Sequence, residues 1–317
     1  MEILNVIIPI FAIIVTGTIV AHLKILPEDT GSVLIQFAYY VIVPALLIIA
    51  IGQEKANSLF NIPFLVVLGG SILGVYLLII AGSYFLQRKG LGEATILALA
   101  SVASNAGFVA LPILHAIFGH KAMLPTALAI IVVVILFIIT MIILDNLKSN
   151  ASNKNKSLST KILENLKNPI IFSTLIGMAF ALSPIKIPNM VADYLNLLAA
   201  AMTPVALFAI GFMIRFSAFK DSGGVIIFAS VVKLIAMPAI IFAASHLVGL
   251  DPLLTVAATI SAAVPTAKNA YVIAGKYNQS ADMVSSVITL TTLLSIGTLM
   301  VWLFILSHMY PAIFPAS

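Results

Sequence analysis

Leu97-Ala-Leu-Ala-Ser101-Val-Ala-Ser104-Asn105-Ala-Gly107-Phe-Val-Ala-Leu-Pro112 is an apolar stretch interrupted near its middle by serine, asparagine and glycine and then by proline. A second stretch, Val256-Ala-Ala-Thr-Ile-Ser-Ala-Ala-Val-Pro265-Thr266-Ala-Lys268-Asn269, is interrupted by proline, threonine, lysine and asparagine. Each lies inside a run long enough to cross a bilayer, so each reads as a membrane helix broken at depth. Unwound backbone there leaves N–H and C=O groups that only protein or a water-filled cavity can satisfy, and the paired breaks therefore predict a cavity. A half-helix starting near Asn105, whose side chain can cap free N–H groups, would aim a positive dipole end at the midplane. Another starting near Pro265, which suits the first helical position, would do the same. Two such ends facing one another make a site for an anion. The competing reading is that prolines merely kink membrane helices for packing, and for Pro44, Pro204 and Pro238 position alone does not decide.

The two stretches correspond. Sliding the second half of the chain back by about 160 residues lays Pro204-Val-Ala-Leu over Pro44-Ala-Leu-Leu, and nearly the same offset superposes the two interrupted runs. Ala-rich, proline-containing membrane helices can look alike by chance; a shared offset at two distant places favours duplication. Splitting at polar interruptions gives ten spans, near 3–23, 32–52, 62–87, 93–118, 123–144, 169–183, 190–214, 224–248, 253–275 and 281–308. The fold class expected is therefore an all-α integral membrane protein of ten transmembrane helices, built as two five-helix repeats with the broken helices 4 and 9 crossing. Because five is odd, the second repeat enters the membrane from the opposite face, the inverted plan of secondary transporters. The repeats are expected over 1–144 and 169–317, joined by a Lys-, Asn- and Ser-rich linker over 145–168.

Composition agrees with a lipid environment. Apolar residues make up 62% of the 317 positions and charged residues 9%, with mean hydropathy +1.18, against about 25% charged in soluble domains. The first span lacks a basic leader and an obvious cleavage site, so it is expected to be retained. The chain has no cysteine, which removes thiol chemistry and disulfides. Its net charge of +5 follows from loop asymmetry and not from a nucleic-acid footprint. The loops after spans 1, 3, 5, 7 and 9 hold 11 Lys and Arg, and the other loops hold 3. By the positive-inside bias the first set is cytoplasmic, and both termini lie outside the cytoplasmic (inner) membrane.

Two basic residues lie well inside spans, Lys233 and Lys268, and no Asp or Glu lies equally deep. Each costs about 2.5–3.5 kcal/mol at mid-helix on insertion scales, so each marks a functional position unless it snorkels to the surface. Carbonyls freed at a break, Asn269, or a substrate carboxylate would face them. His115 is a candidate proton carrier, though an interfacial histidine is the plainer reading. Sodium could be held by neutral oxygens near Ser101, Ser104 and Thr266. The coupling ion, sodium or proton, stays open. Gly70-x3-Gly74 matches a small-residue packing motif. Tyr39-Tyr40 could line a cavity or merely pack, and Trp302 and Tyr310 fit an outer aromatic belt. No His-Glu-x2-His, Gly-x-Ser-x-Gly or cysteine supports an intramembrane enzyme. A channel would show neither saturation nor counterflow.

Two motifs carry a family resemblance. Asn105-Ala-Gly-Phe-Val-Ala-Leu-Pro112 is similar to the Asn-x6-Pro at the first crossover of auxin efflux carriers, a family that includes bacterial malonate and malate permeases. Ala262-Ala-Val-Pro265-Thr-Ala-Lys-Asn269-Ala-Tyr-Val-Ile-Ala-Gly-Lys-Tyr277 resembles the bacterial form of the second, and Val232-Lys-Leu with Pro238 resembles span 8. The resemblance implies the bile acid symporter fold, with spans 1, 2, 6 and 7 as scaffold and spans 3–5 and 8–10 as a transport domain moving like an elevator. It implies organic carboxylate substrates met by Ser104, Asn105, Pro265, Thr266, Lys268, Asn269 and Lys233, hinges at Gly107, Pro112 and Pro265, no prosthetic group, and a homodimer through the scaffold. Plant members carry a proline where Ser104 stands and a much longer central loop, so a small mono- or dicarboxylate is expected in preference to indole acetate. A sodium-coupled symporter of bile-acid-like anions is the alternative in the same fold.

Overall fold

The computed structural model describes residues 2–54, 61–85, 90–149, 169–213 and 223–314. Among the described residues the regular structure is helical, with one isolated antiparallel bridge and no strand. Runs of Leu, Ile, Val and Ala offer no side chain to satisfy the backbone, so each segment pairs its own N–H and C=O groups, as lipid requires.

In chain order the helices are α1 (Glu2–His22), α2 (Thr30–Gly52), α3 (Ile62–Phe85), α4 (Leu91–Val102) and α5 (Leu111–Phe118). They continue with α6 (Met123–Ser149), α7 (Pro169–Leu182), α8 (Asn189–Phe212) and α9 (Gly224–Val248). The last three are α10 (Pro252–Ala263), α11 (Asn269–Tyr277) and α12 (Ala281–Met309). Among the described residues, six stretches are long and apolar enough to cross a membrane: α2, α3, the run Ala106–Leu147, α8, α9 and α12. Phe11–His22 in α1, together with α4, α7 and α10, forms shorter apolar helices. Helices α4 and α10 are short because each stops where its sequence is interrupted. Most of the 145–168 linker lies outside the described residues.

Local chemistry fixes several ends. The Asp251 carboxylate accepts from the Leu253 N–H at 2.9 Å ahead of Pro252, a side-chain cap with proline at the first helical position. Asn278 closes α11 in the left-handed conformation, φ 54°. Among the described residues, three π turns interrupt otherwise α-helical segments, at Ala38–Ile42, Ala106–Ala110 and Val232–Ala236. Each is followed by a proline in the first turn of the next α segment: Pro44, Pro112 and Pro238. A proline has no N–H and its ring collides with the carbonyl four residues back, and the wider π turn relieves both. Pro44 and Pro238 thus act through local helix geometry. The carbonyl of Leu234 in the third π turn accepts a hydrogen bond at 3.1 Å from the Trp302 indole. Trp302 is half-buried in this contact.

Packing follows small residues. Helix α1 lies along the second half of α8, and α2 along α7. At the first contact a Cβ built on Gly211 would sit 1.9 Å from the Ile14 carbonyl oxygen, and one on Gly17 would sit 2.2 Å from that of Phe208. Thr18 Oγ1 donates to the Gly211 carbonyl at 3.0 Å. At the second, a Cβ on Gly177 would meet the Leu47 carbonyl oxygen at 3.0 Å. Gly70 and Gly74 would meet nothing within 4 Å, so close packing belongs to Gly17, Gly177 and Gly211 and not to the Gly-x3-Gly motif. Helices α3, α4, α9 and α10 pack with one another, and α12 lies against α9, α10 and α11.

Gly211→Ala is expected to force α1 and α8 apart at a cost of about 1–3 kcal/mol, as overpacking usually does. Thermal melts of the detergent-purified protein check this, with Gly70→Ala expected to melt no lower than the parent.

Candidate functional site

The two interruptions meet. Residues 103–105 after α4 and 264–268 after α10 run antiparallel, with Ser104 bridged to Thr266. The Asn105 N–H donates to the Pro265 carbonyl at 2.9 Å, and the Ala267 N–H donates to the Ala103 carbonyl at 2.9 Å. The backbone groups released by unwinding one helix are taken up by the other. Side chains complete the exchange. Thr266 Oγ1 donates to the Ala100 carbonyl at 2.7 Å, and the Thr266 N–H donates to Thr291 Oγ1 at 3.2 Å. Ser104 and Thr266 are buried, as buried polar groups with partners can be.

The breaks differ in detail from the sequence expectation. Asn105 stands directly before the helical residues, as expected, but its side chain makes no capping bond. Pro265 does not open a helix: it lies in the extended link, where a missing N–H costs no helical bond, and α11 begins only at Asn269. Gly107 lies in the π turn and Pro112 in the first turn of α5, so neither belongs to the unwound link. The three hydroxyls considered for sodium are engaged. Ser101 Oγ donates to the Leu97 carbonyl at 2.8 Å within its own helix, Thr266 Oγ1 is held by Ala100, and Ser104 Oγ accepts from Lys233 Nζ at 2.8 Å.

The two lysines take opposite environments. Lys233 is fully buried in the third π turn, where its ammonium reaches Ser104 Oγ and the Ala262 carbonyl. Lys268 is exposed, and its partner among the described residues is the Met213 thioether at 3.4 Å, a weak acceptor. Asn269 beside it is exposed as well. Both open onto a cavity of about 570 Å³ that is also lined by Gln36, Tyr39, Tyr40 and Asn105. A second cavity of about 220 Å³ is bordered by Thr266, Lys268, Asn105, Thr289 and Thr292. Phe108, Asn105 and Lys268 border both. Tyr39 and Tyr40 therefore line a cavity, while His115 stands apart, 3.4 Å from Thr203 Oγ1.

Gln36, Phe108, Met213 and the α12 threonines were not singled out from sequence. Two of these carried a signal. Gln36 is an uncharged polar residue inside an apolar span, and Thr289-x2-Thr292 puts two hydroxyls on one helical face. Phe108 and Met213 look like any other apolar residue of a span.

Described residues that are helical, with several membrane-length helices and a paired break beside a cavity, have the form of a membrane transporter, and comparison with known proteins agrees: residues 2–303 match the family described as membrane transport protein. The chain belongs to that family. It is similar to a Rhizobium meliloti protein named "Putative malonate transporter", 28% identical over 299 residues covering 94% of this chain and 93% of that one. It is also similar to the Escherichia coli K12 "Uncharacterized transporter YfdV", 23% identical over 94% of this chain and 95% of that one. Auxin efflux carrier component 1 of Arabidopsis thaliana matches over 41% of this chain and 22% of its own length, at 27% identity. The family and its apolar helices make this a multi-pass membrane protein in a lipid bilayer.

Thr266→Val removes the bond to the Ala100 carbonyl and leaves a buried acceptor unpaired, a cost of about 1–3 kcal/mol. The variant is expected to insert normally and to melt below the parent in detergent.

Proposed function

We propose that this transporter carries small organic anions, mono- or dicarboxylates, by alternating access. The observation that carries the reading is Lys268. It is a cation at the crossing of two broken helices, exposed to the cavities, and its partner among the described residues is a thioether. A carboxylate is the partner such a group lacks, and an ammonium–carboxylate pair is a charge-assisted bond about twice as strong as a neutral one. Asn105 and Asn269 add amide donors on the same cavity, and the first turns of the helical segments after 105 and 268 direct N–H groups toward it. Malonate in the name of one relative fits this chemistry.

In this reading the ten spans form two inverted five-helix repeats, 1–144 and 169–317, joined by a cytoplasmic linker over 145–168. The pairing of α1 with α8 and α2 with α7 supports a scaffold of spans 1, 2, 6 and 7. The mutual packing of α3, α4, α9 and α10 supports a separate transport domain that slides as an elevator with the crossover inside it. The protein sits in the cytoplasmic membrane with both termini outside, dimerises through the scaffold, and is not an enzyme. The extended link at Pro265 and the π turn holding Gly107 are the points where the half-helices can adjust.

Uptake of radiolabelled malonate into proteoliposomes tests the proposal. Lys268→Gln removes a charged partner of the substrate, a loss of about 1.5–3 kcal/mol or roughly 10–150-fold in affinity. Asn105→Ala and Asn269→Ala are expected to lose about 1 kcal/mol each, roughly fivefold. Folded variants that move malonate and related carboxylates as well as the parent would sink the reading.

A further inference from the structure

The crossover has two electrical poles. The N-terminal ends of the segments after 105 and 268 point at the cavities. The C-terminal ends of α4 and α10, whose last carbonyls have no partner within their own helix, converge on the opposite side at Val102 and Ala263. Each such end carries roughly half a negative charge, and at membrane depth no water screens it. Lys233 stands there. Its ammonium is bound by the Ala262 carbonyl in the last turn of α10 and by Ser104 Oγ just beyond α4. Both partners are neutral oxygens, and the side chain is fully buried.

An ammonium of this size, held by a hydroxyl and a main-chain carbonyl at the negative ends of two half-helices, uses the kind of oxygen ligands a hard alkali cation takes. Such breaks hold coupling ions in other transporters through unwound carbonyls and half-helix C-termini. Here the oxygens are already filled from within the chain. Lys233 reaches them from the π turn Val232–Ala236, and Trp302 steadies that turn through the Leu234 carbonyl. We infer that the crossover contains a cation pocket whose resident is the Lys233 ammonium, so that the intact protein takes no free alkali cation there and a chain lacking this side chain does. Lys233 is then a positioning residue. It neutralises the C-terminal pole and leaves the N-terminal pole, with Lys268, to the anion. The inference rests on the carboxylate reading only for the ligand of that second pole.

Thermal melts of the detergent-purified protein test it without any carboxylate, in sodium, lithium, potassium or choline chloride at equal ionic strength. The parent is expected to melt at one temperature in all four salts. Lys233→Ala, which empties the pocket, is expected to melt lower in choline and to recover in sodium or lithium. Lys233→Met keeps the apolar stem in place and is expected to melt lower in every salt, with no cation recovering it. A sodium-specific rise in the parent overturns the inference, and so does a folded Lys233→Ala chain that treats all four salts alike. Failure to recover Lys233→Ala folded from any of the salts also counts against it, since a free cation was present to replace the ammonium. Because malonate is absent from these melts, a failure of carboxylate uptake leaves their outcome untouched.

Discussion

The backbone exchange between 103–105 and 264–268 is the contact on which the remaining architecture depends. Two helices stop within the apolar interior, each leaving carbonyls and N–H groups that lipid cannot satisfy. A single antiparallel bridge, Ser104 with Thr266, pairs two of them across the links, and the side chains of Thr266, Thr291 and Lys233 take up others. Neither break is tolerable alone. A stop after Val102 without Pro265 and Ala267 opposite it would leave buried polar groups unpaired at about 1–3 kcal/mol each. The pairing also ties the first half of the chain to the second at the centre of the crossing, in addition to the helix packing between the halves.

Much of this was legible in the sequence because broken membrane helices are chemically conspicuous. Asn105, Thr266, Lys268 and Asn269 stand out in runs of alanine, valine and leucine, and all of them come together at the crossing. Boundaries were less legible. Pro265 is compatible both with the first turn of a helix and with an extended link, and only the opposing segment, which supplies the Asn105 N–H, decides between them. The sodium reading met a related difficulty. Ser101, Ser104 and Thr266 are adjacent in pattern, but which hydroxyl turns back on its own helix and which meets Lys233 depends on a contact between positions 129 residues apart.

The prolines show how a kink becomes useful. Pro44, Pro112 and Pro238 each come after a π turn, and each turn places something at the crossing: Tyr39 and Tyr40 from the first, Gly107 and Phe108 from the second, Lys233 from the third. A π turn inserts one residue into the helical repeat and rotates the half-helix on its N-terminal side relative to the half-helix on its C-terminal side. In each case it is residues of the turn itself that stand at the cavity or the crossing. Packing and function are not rival explanations for these prolines, since the same local widening that accommodates the ring redirects the side chains before it.

The position of the two lysines is set by helix polarity more than by their own charge. Crossing two broken helices puts two C-terminal ends on one side of the bridge and two N-terminal ends on the other, whatever the side chains. A cation near the carbonyl ends is favoured by the same dipoles that favour an anion near the N–H ends. Lys233, buried among carbonyl and hydroxyl oxygens, is at the end of the field that stabilises it. Lys268 stands directly before α11, at the end where the field opposes a positive charge. A lysine at that position is disfavoured until a negative group enters beside it. That adverse placement, with accessible space around it and no acidic side chain bound to it among the described residues, is the strongest physical reason for reading the missing partner as a carboxylate that arrives with the substrate.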